Sequence, residues 1–242
     1  GNRVVEVHTI PYQDQNGDWF VAEFNIDVSD RKQAEDQMKI HSRDLEYLSR
    51  QSVLMLDLEK DADLFPFIGA TISSLCPASA VVIVSEVRDG GKSITARFVS
   101  GLTDEHKAIL GDIASSLIGR TFPLTGEFVS HLLAGGLRDV PIDLRVLSGH
   151  SFPEEIYEHI EKTHAVGKIY SAGLTWKENL QGSVVILLPP GIDLEKQSRM
   201  EIFLQLSAIE LKRRQTAADL REERGLFIGG PVVAYKLSAQ EG

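Results

Sequence analysis

The sequence predicts an α+β fold: a mainly antiparallel sheet flanked by helices, with a long helix entering it and another leaving it. Three observations lead there. Two short, nearly continuous apolar runs, Ala80–Val87 and Gly182–Leu188, read as interior strands covered on both faces. Each is joined by a turn to a strand of period-two alternation, at 93–100 and 168–176. Around them lie stretches free of Gly and Pro, at 29–58 and from about 193 to 224, whose apolar residues recur every three and four positions.

Composition bounds the function classes. A chain of 242 residues holds one core of middling size with appendages, or two small domains. Its net charge of −10 repels phosphate backbones, which argues against nucleic acid as a partner. No window of about eighteen uninterrupted apolar residues is present, so no membrane contact is expected of this segment. The opening Gly1-Asn2-Arg3 does not resemble a secretory leader. Cys76 is the single cysteine, which excludes an intrachain disulfide and a cysteine-rich zinc site and fits the cytoplasm.

In chain order, residues 4–28 read as a hairpin, with Phe20, Ala22, Phe24, Ile26 and Val28 on one face and a turn at Asn16-Gly17. Two strands alone bury no sheet face, so this is expected to be the end of another domain. A helix follows over 29–58, with Ser29 or Asp30 as N-cap candidate. Ala34, Met38, His41, Leu45, Leu48, Ser52 and Met55 form a heptad seam on it, which asks for a partner helix. The first half of the seam is expected to pair between chains as a homodimer, and the second half to merge into the following core. The polar members His41 and Ser52 lower stability while fixing or shifting register.

Residues 59–195 read as a complete globular domain. Leu64, Ile68, Ile72 and Leu75 mark a helix closed by Cys76-Pro77. After the first strand pair, a helix is expected from Thr103 as cap, with Ile109, Ile113 and Leu117 facing inward and Gly119 beyond its end. The segment 120–149 is irregular, with a strand around Phe122, a helix through Phe128 to Leu133 and a break at Gly135-Gly136. Ser151 and Glu154 form a capping-box pattern for a helix running to about His164, with Gly167 as its stop. After the second strand pair a final helix from about Asp193 carries Met200, Phe203, Leu204, Ser207 and Leu211, then the basic run 212–214, and continues toward Arg224. The two long helices are expected to lie together on one face.

Several of these segments resemble known families. Ile26-Asp27-Val28-Ser29-Asp30-Arg31-Lys32, with Ala34-Glu35 after it, is similar to the exit of a PAS domain. Element order and length over 59–211, with Ile169-Tyr170-Ser171-Ala172-Gly173-Leu174 and Leu180-Gln181-Gly182-Ser183-Val184 as closing hairpin, resemble a GAF domain. Glu223-Arg224 and Phe227 to Tyr235 resemble the opening of a further PAS domain. The division implied is a partial PAS hairpin (1–28), a linker helix (29–58), a GAF core (59–195), a signalling helix (196–224) and a second partial PAS domain (225–242). The resemblance implies a dimeric sensory relay whose output, of histidine-kinase or cyclic-dinucleotide type, lies outside this chain. It also implies a small-molecule pocket between the sheet and the irregular segment, or, as the alternative, an isolated ligand-binding module.

Residues that could carry chemistry are few. His41 is followed by Ser42, with no proline before Pro66 and no downstream nucleotide-binding glycine box, unlike an autokinase site. The cyclic-nucleotide signature of some GAF domains is not recognisable, and Arg120, Arg138 and Arg145 are the obvious cations of the irregular segment, with a surface role as the default. Cys76 ends a helix as a small buried hydrophobe instead of a chromophore anchor. His150, His159 and His164 lack metal-ligand spacing. Neither a nucleophile elbow nor a P-loop occurs. Trp19 and Trp176 are expected to pack on their strands, and 212–214 to be a solvated helix face. No catalytic residue, metal or cofactor is assigned.

Overall fold

The computed structural model describes residues 3–140, 143–163 and 166–229, with side chains described as far as Glu223. The chain divides into two units, residues 1–51 and 52–242.

In the first unit, β1 (Val5–Gln13) and β2 (Trp19–Asp27) pair antiparallel from Val5↔Asp27 to Gln13↔Trp19. The expected turn is present: Gly17 has φ 89°, and the Asp14 carboxylate accepts the amides of Asn16 and Asp18 at 2.8 and 2.9 Å. Apolar side chains stand exposed on the hairpin, and Trp19 is 71% exposed where packing was expected, because a two-stranded sheet has no second layer to cover it. The helix α1 (Ser29–Asp57) follows. The Ser29 hydroxyl does not cap it but accepts the Val4 amide (2.9 Å), while Asp27 accepts the Ser29 amide (3.0 Å). Those bonds from Ser29 hold the Asp27 carboxyl below its ordinary pKa.

The second unit is built on a six-stranded, wholly antiparallel sheet flanked by helices, the α+β arrangement expected. The order is β5-β4-β3-β8-β7-β6, formed by β3 (Val81–Arg88), β4 (Ser93–Ser100), β5 (Thr121–Pro123), β6 (Arg138–Asp139), β7 (Lys168–Trp176) and β8 (Asn179–Leu188). The two apolar runs, β3 and β8, are adjacent central strands, with Ile83 opposite Val185 and Ser85 opposite Ser183. That position explains their composition: both faces are covered.

On one face lie α2 (Leu64–Leu75) and α8 (Gln197–Gly229), α2 packing on β3 and β4 and α8 on β7 and β8. Ile68, Ile72, Met200 and Phe203 are fully buried here, as are Val82, Val84, Val184 and Ile186. The helix beside α8 on the sheet is α2. Trp176, at the tip of the β7–β8 hairpin, is 37% exposed. The helix α8 begins at Gln197 and not at Asp193, whose carboxylate instead pairs with Lys168. It extends to Gly229, past the expected end at Arg224; the rest of the proposed second PAS segment, 230–242, lies outside the described residues.

The opposite face is covered by short elements: α3 (Asp104–Leu110), α4 (Asp112–Ser116), α5 (Gly126–Leu133), α6 (Leu144–Leu147) and α7 (Glu154–Thr163). One helix was expected over 103–118. Gly111 breaks it in two, with φ 55° and ψ −132°, a conformation that no side-chain-bearing residue adopts comfortably. Phe128 and Leu132 of α5 join Ile94, Ala96, Phe122, Leu147 and Ile169 in the apolar core of this face.

Candidate ligand site

Between this cover and the sheet lies a cavity of about 160 Å³. Its floor is the alternation of the central strands: Val81, Ile83 and Ser85 of β3, Ile94 and Ala96 of β4, Val185 and Leu187 of β8. Val184 and Ile186, one step out of phase, face the helices instead, so the same strands line the cavity and support α8. The cover contributes Leu102, His106, Ile109 and Leu110 around α3, Phe128 of α5, Leu144 and Leu147 of α6, and Phe152, Tyr157 and Ile160 around α7.

Few polar groups reach it, and most are already engaged. Tyr157 Oη accepts the Phe152 amide (3.1 Å) and shares a hydrogen bond with Ser148 Oγ. His106 belongs to a reciprocal cap: its amide donates to Thr103 Oγ1 (3.2 Å), and its Nδ1 accepts the Thr103 amide (3.1 Å). Among the described residues that line the cavity there is no Lys, Arg, Asp or Glu.

Arg120, Arg138 and Arg145, for which a surface role was the default, are not in the lining. The Arg145 side chain is 19% exposed, and its guanidinium is bound by Asp143, Glu154 and Glu161, whose hydrogen bonds, that of Glu161 first, raise its pKa further. It also lies 5.0 Å from the Tyr157 ring centroid, so it fastens α6 to α7. Glu154 therefore serves Arg145 and not a cap with Ser151; α7 starts after Pro153, and the Ser151 carbonyl accepts from Arg120 at 3.4 Å. Arg120 stacks over Phe152 at 5.6 Å, and exposed Arg138 donates to the Ala134 carbonyl.

The histidines are dispersed. His41, His150 and His159 are exposed, and His164 lies outside the described residues. His131 on α5 keeps a buried Nε2 without a partner, and burial, with Arg138 nearby, holds its pKa low. Among the described residues no three His, Cys, Asp or Glu side chains gather as a metal ion would need. Burial pushes the Cys76 thiol up to about 12 from 9.0. Native Cys76 is therefore expected to alkylate roughly a thousandfold more slowly at pH 8 than in the denatured chain, checked by iodoacetamide labelling with mass spectrometry.

A second feature sits on the helix face. Of the basic run expected to be solvated, Arg213 is exposed, but the Arg214 side chain is only 12% exposed. Arg214 Nε donates to Glu210 (2.9 Å), whose side chain is 5% exposed. Arg214 Nη1 donates to the carbonyls of Glu59 (2.7 Å) and Ala62 (3.1 Å), and Nη2 to those of Met55 and Leu58 (3.2 Å each). One guanidinium thus caps the end of α1 and the loop to α2. The Glu210–Arg214 spacing of four was the sequence signal for the pair; the carbonyls, more than 150 positions away, left none.

Ala34, Met38, His41 and Leu45 are exposed, Met38 at 76% and Leu45 at 54%, whereas Leu48 (4%) and Met55 (3%) are buried and Ser52 partly so. No helix among the described residues is long and apolar enough to cross a membrane.

No family model and no curated protein matches the sequence. Solved structures similar to it include the second GAF domain of DevS from Mycobacterium smegmatis, at 14% identity and TM-score 0.41, covering 66% of this chain and 96% of that one. Another is the chromophore-binding domain of a bacteriophytochrome from R. palustris (12%, TM-score 0.49, 87% and 70% covered). A third is a domain of a putative two-component sensor histidine kinase protein from Sinorhizobium meliloti (11%, TM-score 0.42, 66% and 95%).

Proposed function

We propose that this chain is a sensory module of a signal-transduction protein, a GAF domain that passes the state of its cavity, or of a neighbouring domain, to an output domain outside the chain. The observation that carries this reading is the Arg214 cap. The outgoing helix α8 holds the end of the incoming helix α1, and α8 itself rests on strands whose other face lines the cavity. A ligand that binds one packing of those strands better than another shifts the helix arrangement by its differential affinity.

In this reading the module is a cytoplasmic homodimer, with the exposed half of the α1 seam meeting its counterpart in a second copy. It has no catalysis, metal or cofactor of its own; the output is a histidine kinase, and residues 1–28 and 225–242 belong to flanking PAS domains. Sedimentation equilibrium of the chain should give a dimer, and Leu45→Asp should weaken it tenfold or more, because a charge is buried in an apolar seam. A dimer untouched by that substitution rules out the seam; a strict monomer at all concentrations selects the isolated binding module instead.

A further inference from the structure

We propose that the cavity under the α3–α7 cover takes an uncharged, largely apolar molecule about the size of one aromatic ring, oriented by a hydrogen bond from the His106 imidazole. This rests on the sensory reading above and narrows it to a ligand class.

Size comes first. A cavity of about 160 Å³ is close to the roughly 150 Å³ apolar cavity that stays dry and takes benzene, and well short of the roughly 300–1,000 Å³ sites of drug-sized ligands. A nucleotide or a tetrapyrrole is too large for it as it stands. Charge comes second. An anion entering here loses its hydration and meets no cation, since Arg145 already serves three carboxylates and Arg120 lies on Phe152 outside the lining.

Orientation comes third. His106 Nδ1 is occupied as acceptor of the Thr103 amide, so the ring proton is on Nε2, which has no role in the cap. The Ser79 and Ser85 hydroxyls also line the cavity; His106 presents a ring N–H donor there while keeping its structural bond. An entry route exists as well. Neither α3 nor α4 contains a fully buried residue, so this part of the cover is held by partial contacts and opens at little cost.

The test is an amide chemical-shift titration of the full chain with benzene and anisole, against benzoate and cyclic AMP. Benzene and anisole are expected to saturate and to move the amides of Ala96, Leu110 and Phe152. Anisole should bind roughly two- to tenfold tighter, by one hydrogen bond. Ala96→Leu, which fills the cavity from its floor, should abolish both, and His106→Phe should bring anisole down to the affinity of benzene. An anisole preference that survives His106→Phe overturns the role of the imidazole. If benzoate or cyclic AMP binds at these amides and the neutral rings do not, the ligand class is wrong while the sensory reading stands. If nothing binds, the cavity is not a ligand site, and sedimentation alone then decides whether the helices relay.

Discussion

Replacing Arg214 by alanine is expected to lower the stability of the chain by about 3–5 kcal/mol, the range found when one partner of a buried ion pair is removed. Glu210 would keep its carboxylate at 5% side-chain exposure with Arg213 as its remaining cation, and the Arg213 side chain is itself 58% exposed. At the same time the carbonyls of Met55, Leu58, Glu59 and Ala62 would lose their donor. For a chain of this size the loss corresponds to a fall in Tm of roughly 10 °C, read by calorimetry. Arg214→Lys keeps the charge but not the fork, since an ammonium cannot reach the carboxylate and both sets of carbonyls together; an intermediate loss is expected. A wild-type Tm in Arg214→Ala would show that the cap is dispensable and would remove the main support for helix coupling.

The same cluster sets a pH dependence. The Glu210 carboxyl is held below its ordinary value of 4.5, chiefly by the hydrogen bond from Arg213, with burial opposing and Arg214 adding to it. A depressed folded-state pKa contributes stability that is fully present above about 4.5 and is lost as pH falls from there through the lower folded value. Glu210→Gln is therefore expected to cost stability at neutral pH and to flatten the acid limb of the unfolding profile. An acid limb identical to wild type would place the pH sensitivity elsewhere.

Phe128→Ala is expected to cost about 3–5 kcal/mol, the usual range for deleting a buried aromatic ring. Phe128 is 1% exposed, lies in the core between α5 and the sheet, and forms part of the cavity wall. Its helix is short and begins from a single cap, Thr125 Oγ1 accepting the Phe128 amide at 3.3 Å, so it has little stability apart from this packing. Leu133, on the same helix but 44% exposed, is the control, and its alanine variant should lie within about 0.5 kcal/mol of wild type by urea unfolding. Comparable losses at both positions would mean that α5 does not hold the cover by this ring. Because the lost ring borders the cavity, Phe128→Ala should also admit rings larger than the wild type accepts.

What was legible in the sequence was what repeats over a few residues. The period-two and apolar-run patterns located β3, β4, β7 and β8, and the three-four spacing located α1, α2 and the buried stripe of α8, because burial on one side imposes that period on the chain itself. Thr103 was legible as a cap for the same reason, although His106 as its reciprocal partner stands where the usual pattern has Glu or Gln. The pattern Ser151-x-x-Glu154 misled because Arg145, nine positions upstream of Glu154, competes for its carboxylate, and no local rule weighs that competition.

The sequence by itself thus determined the α+β class, the strand pairs and the long helix α1. Only the tertiary structure decided which of Arg213 and Arg214 is solvated, that the cavity is ring-sized and without charge, and that the end of α1 is held from α8. The physical reason is separation along the chain. Periodicity reports which side of an element faces inward, whereas a capping guanidinium or a cavity wall is assembled from residues up to about 160 positions apart, and nothing in their local spacing marks them as neighbours.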